Sequence, residues 1–177
     1  ERRDLTIRVY DSVSGSLGTG MMILQLAEEL RQGMDWQTLT ERRVPWLIQN
    51  TFPFFSVDTL EYLQKGGRIG KGTGTMLQIK PLITFAADGQ LQSIAKVRGR
   101  NLVIRKLIEL VTQSHNGAAR YNLAVANGGA PAEMEVLQGK LTTALPNYDH
   151  IWSGELDGTL SVYIGDGVLG AAGIDGK

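Results

Sequence analysis

The chain has 177 residues, of which 42% are hydrophobic, and its 18 basic residues balance 18 acidic ones. This length suits one domain or slightly more, and the charge balance argues against nucleic acid or a strongly anionic membrane as a partner. Cysteine is absent and histidine occurs twice, which excludes disulfides and thiolate metal sites and argues against a histidine metal cluster. We expect a cytoplasmic protein that is not embedded in a membrane, since neither a signal peptide nor a bilayer-spanning apolar run is visible.

The first fifty residues predict a strand, a polar loop and two helical segments. Residues 5–10 alternate between apolar and polar side chains, which predicts a strand. After the loop of residues 11–20, a helix is predicted over residues 21–32, and a second helical segment over residues 36–50, with a break or kink at Pro45. The predicted core face of the first helix consists of Ile23, Leu26, Ala27 and Leu30.

The polar loop before the first helix is a candidate anion site. It reads DSVSGSLGTG and offers, among others, the hydroxyls of Ser12 and Ser14. A strand, a small polar loop and a helix together point backbone amides at a ligand's oxyanion. The alternative is that these residues only cap the helix and turn the chain. The two interpretations are compatible, and both stay open at this point.

A glycine-rich stretch in the middle of the chain predicts a capped helix followed by a basic corner. Asp58 and Glu61 have the spacing of a capping box. Gly66–Gly67 end the helix, because glycine adopts the left-handed conformation without a steric penalty. Arg68 and Lys71 follow among further glycines, and two cations beside uncovered amides suit a carboxylate or a phosphate. A solvated turn is the plainer alternative, and the stretch is not a P-loop.

The second half of the chain alternates strands and helices. An Asp-Gly turn between residues 81–86 and 91–96 predicts an antiparallel hairpin. The other predicted elements are strands over residues 52–57, 121–126, 149–153 and 159–164, helices over residues 101–114 and from Pro131 to Leu145, and a glycine-rich tail over residues 163–173. This order predicts an α/β protein of α+β character, with a mixed sheet, flanking helices and one antiparallel hairpin.

A basic cluster lies at the start of the helix over residues 101–114. It consists of Arg98, Arg100, Arg105 and Lys106. A helix N-terminus favours negative charge, so this placement suggests a site for an anion or an acidic partner. A solvated basic face is the alternative.

Four segments, in this order, resemble the DegV family of bacterial fatty-acid-binding proteins. They are VYDSVSGSLGTG, FPFFSVDTLEYLQKGGRIG, LQIKPLITFAADGQLQSIAKVRGR and VYIGDGVLG. The resemblance implies a two-domain lipid-binding protein that holds one long-chain fatty acid in a tunnel between its domains. It implies no catalytic residues and no cofactor. Some members of the family present the fatty acid to a fatty acid kinase partner, which phosphorylates the acyl carboxylate.

The resemblance also implies which residues contact the ligand and the partner. The expected ligand-binding residues are Ser12, Ser14, Arg68, Tyr163, Gly165 and Gly167. The expected contacts with the partner or with phosphate are Arg98 and Arg100. Where the family has His-x-Gly-Pro-Gly, this chain has Tyr163 in place of histidine and Asp166 in place of proline. Tyr163 still offers a hydroxyl, whereas Asp166 adds a negative charge near an expected carboxylate.

The family's N-terminal portion, with its Thr-Ser-x-Pro-Ser and Ser-Gly-Thr segments, has no counterpart in this sequence. We therefore predict that residues 1–50 are a remnant of the first domain, a strand–helix unit that belongs to a different sheet, and that residues 51–177 form the C-terminal domain. On this interpretation one wall of the tunnel is missing, and we expect the 177 residues alone to bind fatty acid weakly or not at all.

Two alternatives of other classes stay open. One is a phosphotransferase-related enzyme, since the DegV fold is related to a dihydroxyacetone kinase domain. Such an enzyme needs a histidine that binds its ketone, and the predicted positions of His115 and His150 are away from the glycine corners. The other is a protein-interaction module in which Arg68, Arg98 and Arg100 dock an acidic partner, with binding that weakens as salt is added.

Overall fold

The structure is a computed structural model that describes residues 4–70, 78–115 and 120–175. One mixed sheet of six strands has helices on both faces, which confirms the predicted fold class. The strands are β1 (Thr51–Ser56), β2 (Ile79–Phe85), β3 (Leu91–Arg98), β4 (Tyr121–Gly128), β5 (Tyr148–Glu155) and β6 (Val168–Asp175). The helices are α1 (Leu17–Arg31), α2 (Trp36–Thr38), α3 (Val44–Gln49), α4 (Glu61–Lys65), α5 (Arg100–Ser114), α6 (Pro131–Ala144) and α7 (Gly158–Ile164), with a π-helical turn (Leu39–Arg43) before α3.

The strand order is β3-β2-β1-β6-β4-β5. The pair β4–β5 is parallel, and every other neighbouring pair is antiparallel. Strands β1, β4 and β5 therefore end at the same edge of the sheet, where β6 begins. We call this the upper edge. Strand β3 runs in the same direction as β1 and ends at this edge too. Helices α5 and α6 therefore also begin there, because α5 follows β3 and α6 follows β4.

The central strand β6 is built from small residues. Residues 170–173 read Gly-Ala-Ala-Gly, and the described part of β6 is almost entirely buried. Gly170 leaves no room for a Cβ because the ring of Phe55 lies against it, and Gly173 leaves none because the ring of His115 does. Small residues therefore let side chains from both faces of the sheet approach its middle closely.

Helix α1 is present, but it buries a face other than the predicted one. Met21 and Met22 are buried in a cluster with Leu47, Ala124 and β6. In contrast, Ile23 is 60% exposed and Leu30 is 44% exposed.

Buried polar contacts explain which face of α1 turns inward. Glu29 is 2% exposed, and its carboxylate accepts hydrogen bonds from Arg43 Nε at 2.7 and 2.8 Å. Gln25 donates to Glu29 at 2.7 Å and accepts from Asn122 at 2.5 Å. The guanidinium of Arg43 also lies 4.4 Å from the ring centre of Trp46. A prediction based on apolar spacing alone cannot find a helix face that is held by a buried ion pair.

Two predicted strands are wrong. Residues 5–10 have no regular secondary structure and pair with no strand of the described chain, and Ile7 and Val9 are 74% and 90% exposed. Residues 159–164 lie in helix α7 because Asp157 caps it, accepting a hydrogen bond from the Leu160 amide at 2.9 Å. The last strand is β6, which overlaps the predicted glycine-rich tail of residues 163–173 and continues to Asp175.

Several turn predictions are confirmed. The hairpin β2–β3 forms, with Gly89 at φ +79° in its turn. Gly67 ends α4 at φ +66°, and the Arg68 amide donates to the Leu63 carbonyl at 2.8 Å, which completes a Schellman motif. Pro45 is accommodated by the π-helical turn that precedes α3.

The division of the chain near residue 50 stays a prediction. In the structure, α1 packs against β1, β4 and β6 of the one sheet. None of the helices in residues 4–70, 78–115 and 120–175 is long and apolar enough to cross a bilayer.

The Glu29–Arg43 pair gives a stability prediction. Glu29→Ala leaves a buried guanidinium without its carboxylate, so we expect the free energy of unfolding to fall by about 3–5 kcal/mol, measured by urea denaturation. Glu28→Ala on the same helix is the control and should change it far less, because Glu28 pairs with an exposed arginine. Equal losses in the two variants would contradict a dominant role for the buried pair.

Candidate ligand-binding site at the upper edge

The basic corner after α4 is formed as the sequence predicts. Gly67 turns the chain, and the Arg68 guanidinium lies 4.8 Å from the ring centre of Tyr163. A Cβ on Gly66 would come within 2.8 Å of the Tyr163 ring, and one on Gly165 within 2.8 Å of the Tyr62 ring. The glycines therefore allow α4 and the end of α7 to pack directly on each other. Two predicted ligand-binding residues, Arg68 and Tyr163, are in contact.

Asp58 does not cap α4, which corrects the sequence prediction. The Glu61 amide instead donates to the Thr59 hydroxyl at 3.1 Å. Asp58 pairs with Lys80 at 2.9 Å and lies 3.6 Å from Arg100. Two cations attract the carboxylate away from the helix end, and sequence spacing does not reveal cations that arrive from β2 and α5.

Arg100 belongs to an internal network rather than to an open basic surface. Its Nη1 donates to the Gly167 carbonyl at 2.6 Å, and its Nε donates to Glu133 at 3.0 Å. Arg98, at the end of β3, is exposed and lies 3.4 Å from the side-chain oxygen of Gln78. The two residues predicted to contact a partner thus have different surroundings. The predicted Lys71 lies outside the described residues.

The serine loop before α1 contains buried hydroxyls without partners. Ser12 is satisfied, since its hydroxyl bonds to the Ser14 carbonyl at 3.0 Å and to Thr19 at 3.1 Å. Within the described chain, the hydroxyl oxygens of Ser14 and Ser16 are buried and have no hydrogen-bond partner. Val13 and Ser16 also have positive φ angles, of 52° and 50°. Unusual backbone and unpaired hydroxyls mark this loop as a candidate site.

An apolar cavity of about 320 Å³ lies between the first turns of α1 and the upper halves of β4 and β5. Ser16 lines it, and its helix, α1, has no acidic residue in the first turn. The other lining side chains include Met21, Leu24, Trp152, Leu156 and Leu160. This size lies within the range of about 300–1,000 Å³ that is usual for ligand pockets.

A second cavity of about 360 Å³ lies beside the first at the upper edge. The two cavities share Glu155 and Leu156 as lining residues. The second is lined by Gly128–Gly129 and by Gly165 and Asp166, so the loop before β6 forms part of its wall. The first cavity, which is apolar, is thus adjacent to a second cavity that has a carboxylate and several glycines in its wall.

Ser14 is part of the wall of a different cavity. A cavity of about 530 Å³ between the serine loop, α3 and the β1–β2 pair is lined by Ser14, Ile48, Phe52 and Phe85, among others.

The structure therefore brings some of the predicted ligand-binding residues together and separates others. Arg68 and Tyr163 touch, Gly165 lines the second cavity, and Gly167 is held by Arg100. Ser12 and Ser14 line neither of the two upper cavities. Sequence reasoning missed Ser16 and the apolar wall. The position of Ser16 just before α1 was the available signal, whereas the wall combines residues from α1, β4, β5 and α7.

Comparison with known proteins agrees with the fold. The DegV family, described as an uncharacterised protein family, matches residues 1–175. A DegV domain-containing protein of Clostridium acetobutylicum is 34% identical over 165 residues, which cover 92% of this chain and 58% of the relative.

Solved structures resemble the same architecture. The DegV family protein of Thermus thermophilus, whose structure is described as showing fatty acid binding, is 26% identical, with a TM-score of 0.86 over 95% of this chain and 60% of its own. A fatty acid binding DegV family protein from Streptococcus agalactiae is 25% identical, with a TM-score of 0.83 over 98% and 62%. The chain belongs to the DegV family, and it spans about three fifths of the length of these relatives.

The Arg100 network gives a prediction at this site. Arg100→Ala removes charged hydrogen bonds to Gly167 and Glu133, so we expect a loss of about 1.5–3 kcal/mol in the free energy of unfolding. The exposed Arg105 on the same helix is the control, and Arg105→Ala should stay within about 0.5 kcal/mol of the wild type. Chemical denaturation of both variants checks this, and an unaffected Arg100 variant would contradict the network's structural role.

Proposed function

We propose that this protein binds a long-chain fatty acid, with the hydrocarbon chain in the apolar cavity between α1 and the β4–β5 pair. The observation that carries the proposal is that cavity itself, which is lined mostly by apolar side chains and has Ser16 in its wall, with a buried and unpaired hydroxyl beneath the cavity surface. The fatty acid binding described for the Thermus and Streptococcus agalactiae relatives supports it.

The hydrocarbon chain supplies most of the affinity in this proposal. Each methylene removed from water contributes about 0.8 kcal/mol. The polar end of the ligand needs only a few hydrogen bonds, and a buried hydroxyl that lacks a partner is ready to make one. Ser16 is the residue we add to the ligand contacts proposed from the sequence, which are Ser12, Ser14, Arg68, Tyr163, Gly165 and Gly167.

We also propose that the protein is a binding module and not an enzyme. The two histidines support this, because neither lines the cavity, although His150 stacks on Trp152, which does. His115 is buried and pairs with Asp175 at 2.8 Å. His150 lies near the start of β5, stacked on Trp152. Neither lines the two upper cavities.

A fatty acid kinase partner is the finer part of the proposal. The exposed guanidinium of Arg98 at the upper edge suits contact with such a partner or with phosphate. Arg100 suits it less, since its side chain is 25% exposed and already bonded within the protein. If Arg98 instead docks an acidic protein without lipid, binding will fall steeply with salt and will not depend on bound fatty acid.

The first test is native mass spectrometry of the 177-residue chain and of the full gene product that contains it, each followed by organic extraction. We expect one fatty acid per full gene product, and little or none on the 177 residues alone. Absence of lipid from both, even after palmitate is added, would overturn the proposed function. Tight stoichiometric binding by the 177 residues would refute the weak binding that we expect of them.

Two glycines allow the position of the hydrocarbon chain to be tested. Gly20 lines the apolar cavity, and a Cβ placed on it meets nothing within 4 Å. We expect Gly20→Leu in the full gene product to fill the cavity and weaken palmitate binding at least about tenfold. This factor corresponds to roughly two methylenes of the ligand that are no longer buried. Gly139→Leu on α6 is the matched control, because that glycine also has open space and lines neither upper cavity. Both changes favour helix formation to a similar extent.

The unpaired hydroxyls distinguish the two serines. Ser16→Ala removes a hydrogen bond to the ligand, so we expect palmitate affinity to fall about two- to tenfold. Ser14→Ala removes an equally unpaired hydroxyl from a different cavity and should leave affinity unchanged. Competition against a fluorescent acyl probe measures both. The opposite result would assign the head group to Ser14, as the sequence predicted.

A further inference from the structure

The charged side chains that line the two upper cavities, among residues 4–70, 78–115 and 120–175, are all negative. The lining residues include three carboxylates, those of Glu155, Asp157 and Asp166. Within the described chain, no lysine, arginine or histidine lines either cavity. The part of the wall formed by the described residues therefore offers a ligand negative charge, hydroxyls and backbone groups, without a cation.

The two nearby arginines, Arg68 and Arg100, already contact groups outside the cavities. The Arg68 guanidinium lies over the Tyr163 ring on the exposed side of α4. Arg100 is bound to the Gly167 carbonyl and Glu133, and it lies near Asp58. Neither arginine lines the cavities, so neither neutralises a ligand charge placed inside them.

Asp166 also occupies a position that favours an anion. Its carboxylate lies so close to Gly129 that no Cβ fits there, and Gly129 stands just before α6. A helix N-terminus attracts negative charge, and here the protein's own carboxylate is already beside it. Glu133, in the first turn of α6, is already paired with Arg100, so the carboxylate of Asp166 is the charge that a ligand would meet here. A ligand carboxylate at this corner would meet repulsion instead of the helix's attraction.

We propose that Asp166 and Glu155 select against an ionised carboxylate, so that the acyl ligand in these cavities has an uncharged, hydrogen-bonding head group, such as a hydroxyl or a protonated carboxylic acid. This inference rests on the proposed function, because it concerns the same cavities. It goes beyond that function by naming which residues set head-group preference and in which direction.

The test compares two ligands with the same hydrocarbon chain, dodecanol and dodecanoate, in the full gene product at about pH 8, well above the pKa of a carboxylic acid. Competition against a fluorescent acyl probe gives both affinities. One charge at close range in water changes affinity about fivefold, so wild-type protein should prefer dodecanol at least about fivefold.

Removing the carboxylates should reduce this preference. We expect Asp166→Asn to tighten dodecanoate about fivefold while leaving dodecanol unchanged, and Glu155→Gln to act in the same direction. Asp88→Asn is the control for total charge, since Asp88 lies in the β2–β3 turn, where its side chain accepts from the Gln90 amide and asparagine can do the same. That variant should leave both affinities unchanged.

The outcomes separate this inference from the proposed function. If both ligands bind and Asp166→Asn leaves their ratio unchanged, or if wild-type protein prefers dodecanoate, the head-group inference is overturned and acyl binding stands. If neither ligand binds, the proposed function fails and the inference fails with it.

Discussion

Close packing across β6 is the constraint on which the rest of the structure depends. Four small residues in its middle bring side chains from both faces within contact of one strand. Leu17, at the start of α1, and Phe55 both approach Gly170. The apolar cavity lies between α1 and the β4–β5 pair, so its width depends on how closely α1 packs on the sheet. A larger residue at position 170 would press on Leu17, which lines the cavity, and would therefore lift the helix and change the shape of the cavity.

The two edges of the sheet serve different purposes. Near the lower edge, buried polar side chains pair with one another: Glu29 binds Arg43, and Nδ1 of His115 binds Asp175, while Nε2 of His115 is buried without a partner. At the upper edge and in the serine loop, Ser16 keeps an unpaired hydroxyl beside a cavity. Ligands of open α/β sheets bind outside the carboxyl ends of parallel strands, and here β4 and β5 end at that edge. The pairs near the lower edge stabilise the fold, and the upper edge is left available to bind a ligand.

Local rules predicted the parts of this fold that local chemistry decides. The Asp-Gly hairpin, the Gly67 helix stop and the Pro45 interruption follow from single-residue conformations. Failures arose where distant residues decide. Apolar spacing selected Ile23 and Leu30, while a buried ion pair turned Glu29 inward. Asp58 had the spacing of a cap, but Lys80 and Arg100 attract it. The glycine corners of the site were predictable from the sequence. Its apolar wall was not, because residues from four separate elements form it.

The strand order has a consequence for synthesis. β6 follows the other five strands in the chain, yet it lies between β1 and β4. Until it emerges from the ribosome, β3-β2-β1 and β4-β5 are separate partial sheets, each with an unpaired edge. Unpaired edges invite association with other chains, and pairing between segments distant in sequence slows folding. The growing chain therefore cannot close its sheet during most of translation, and we expect holdase chaperones to bind these two partial sheets.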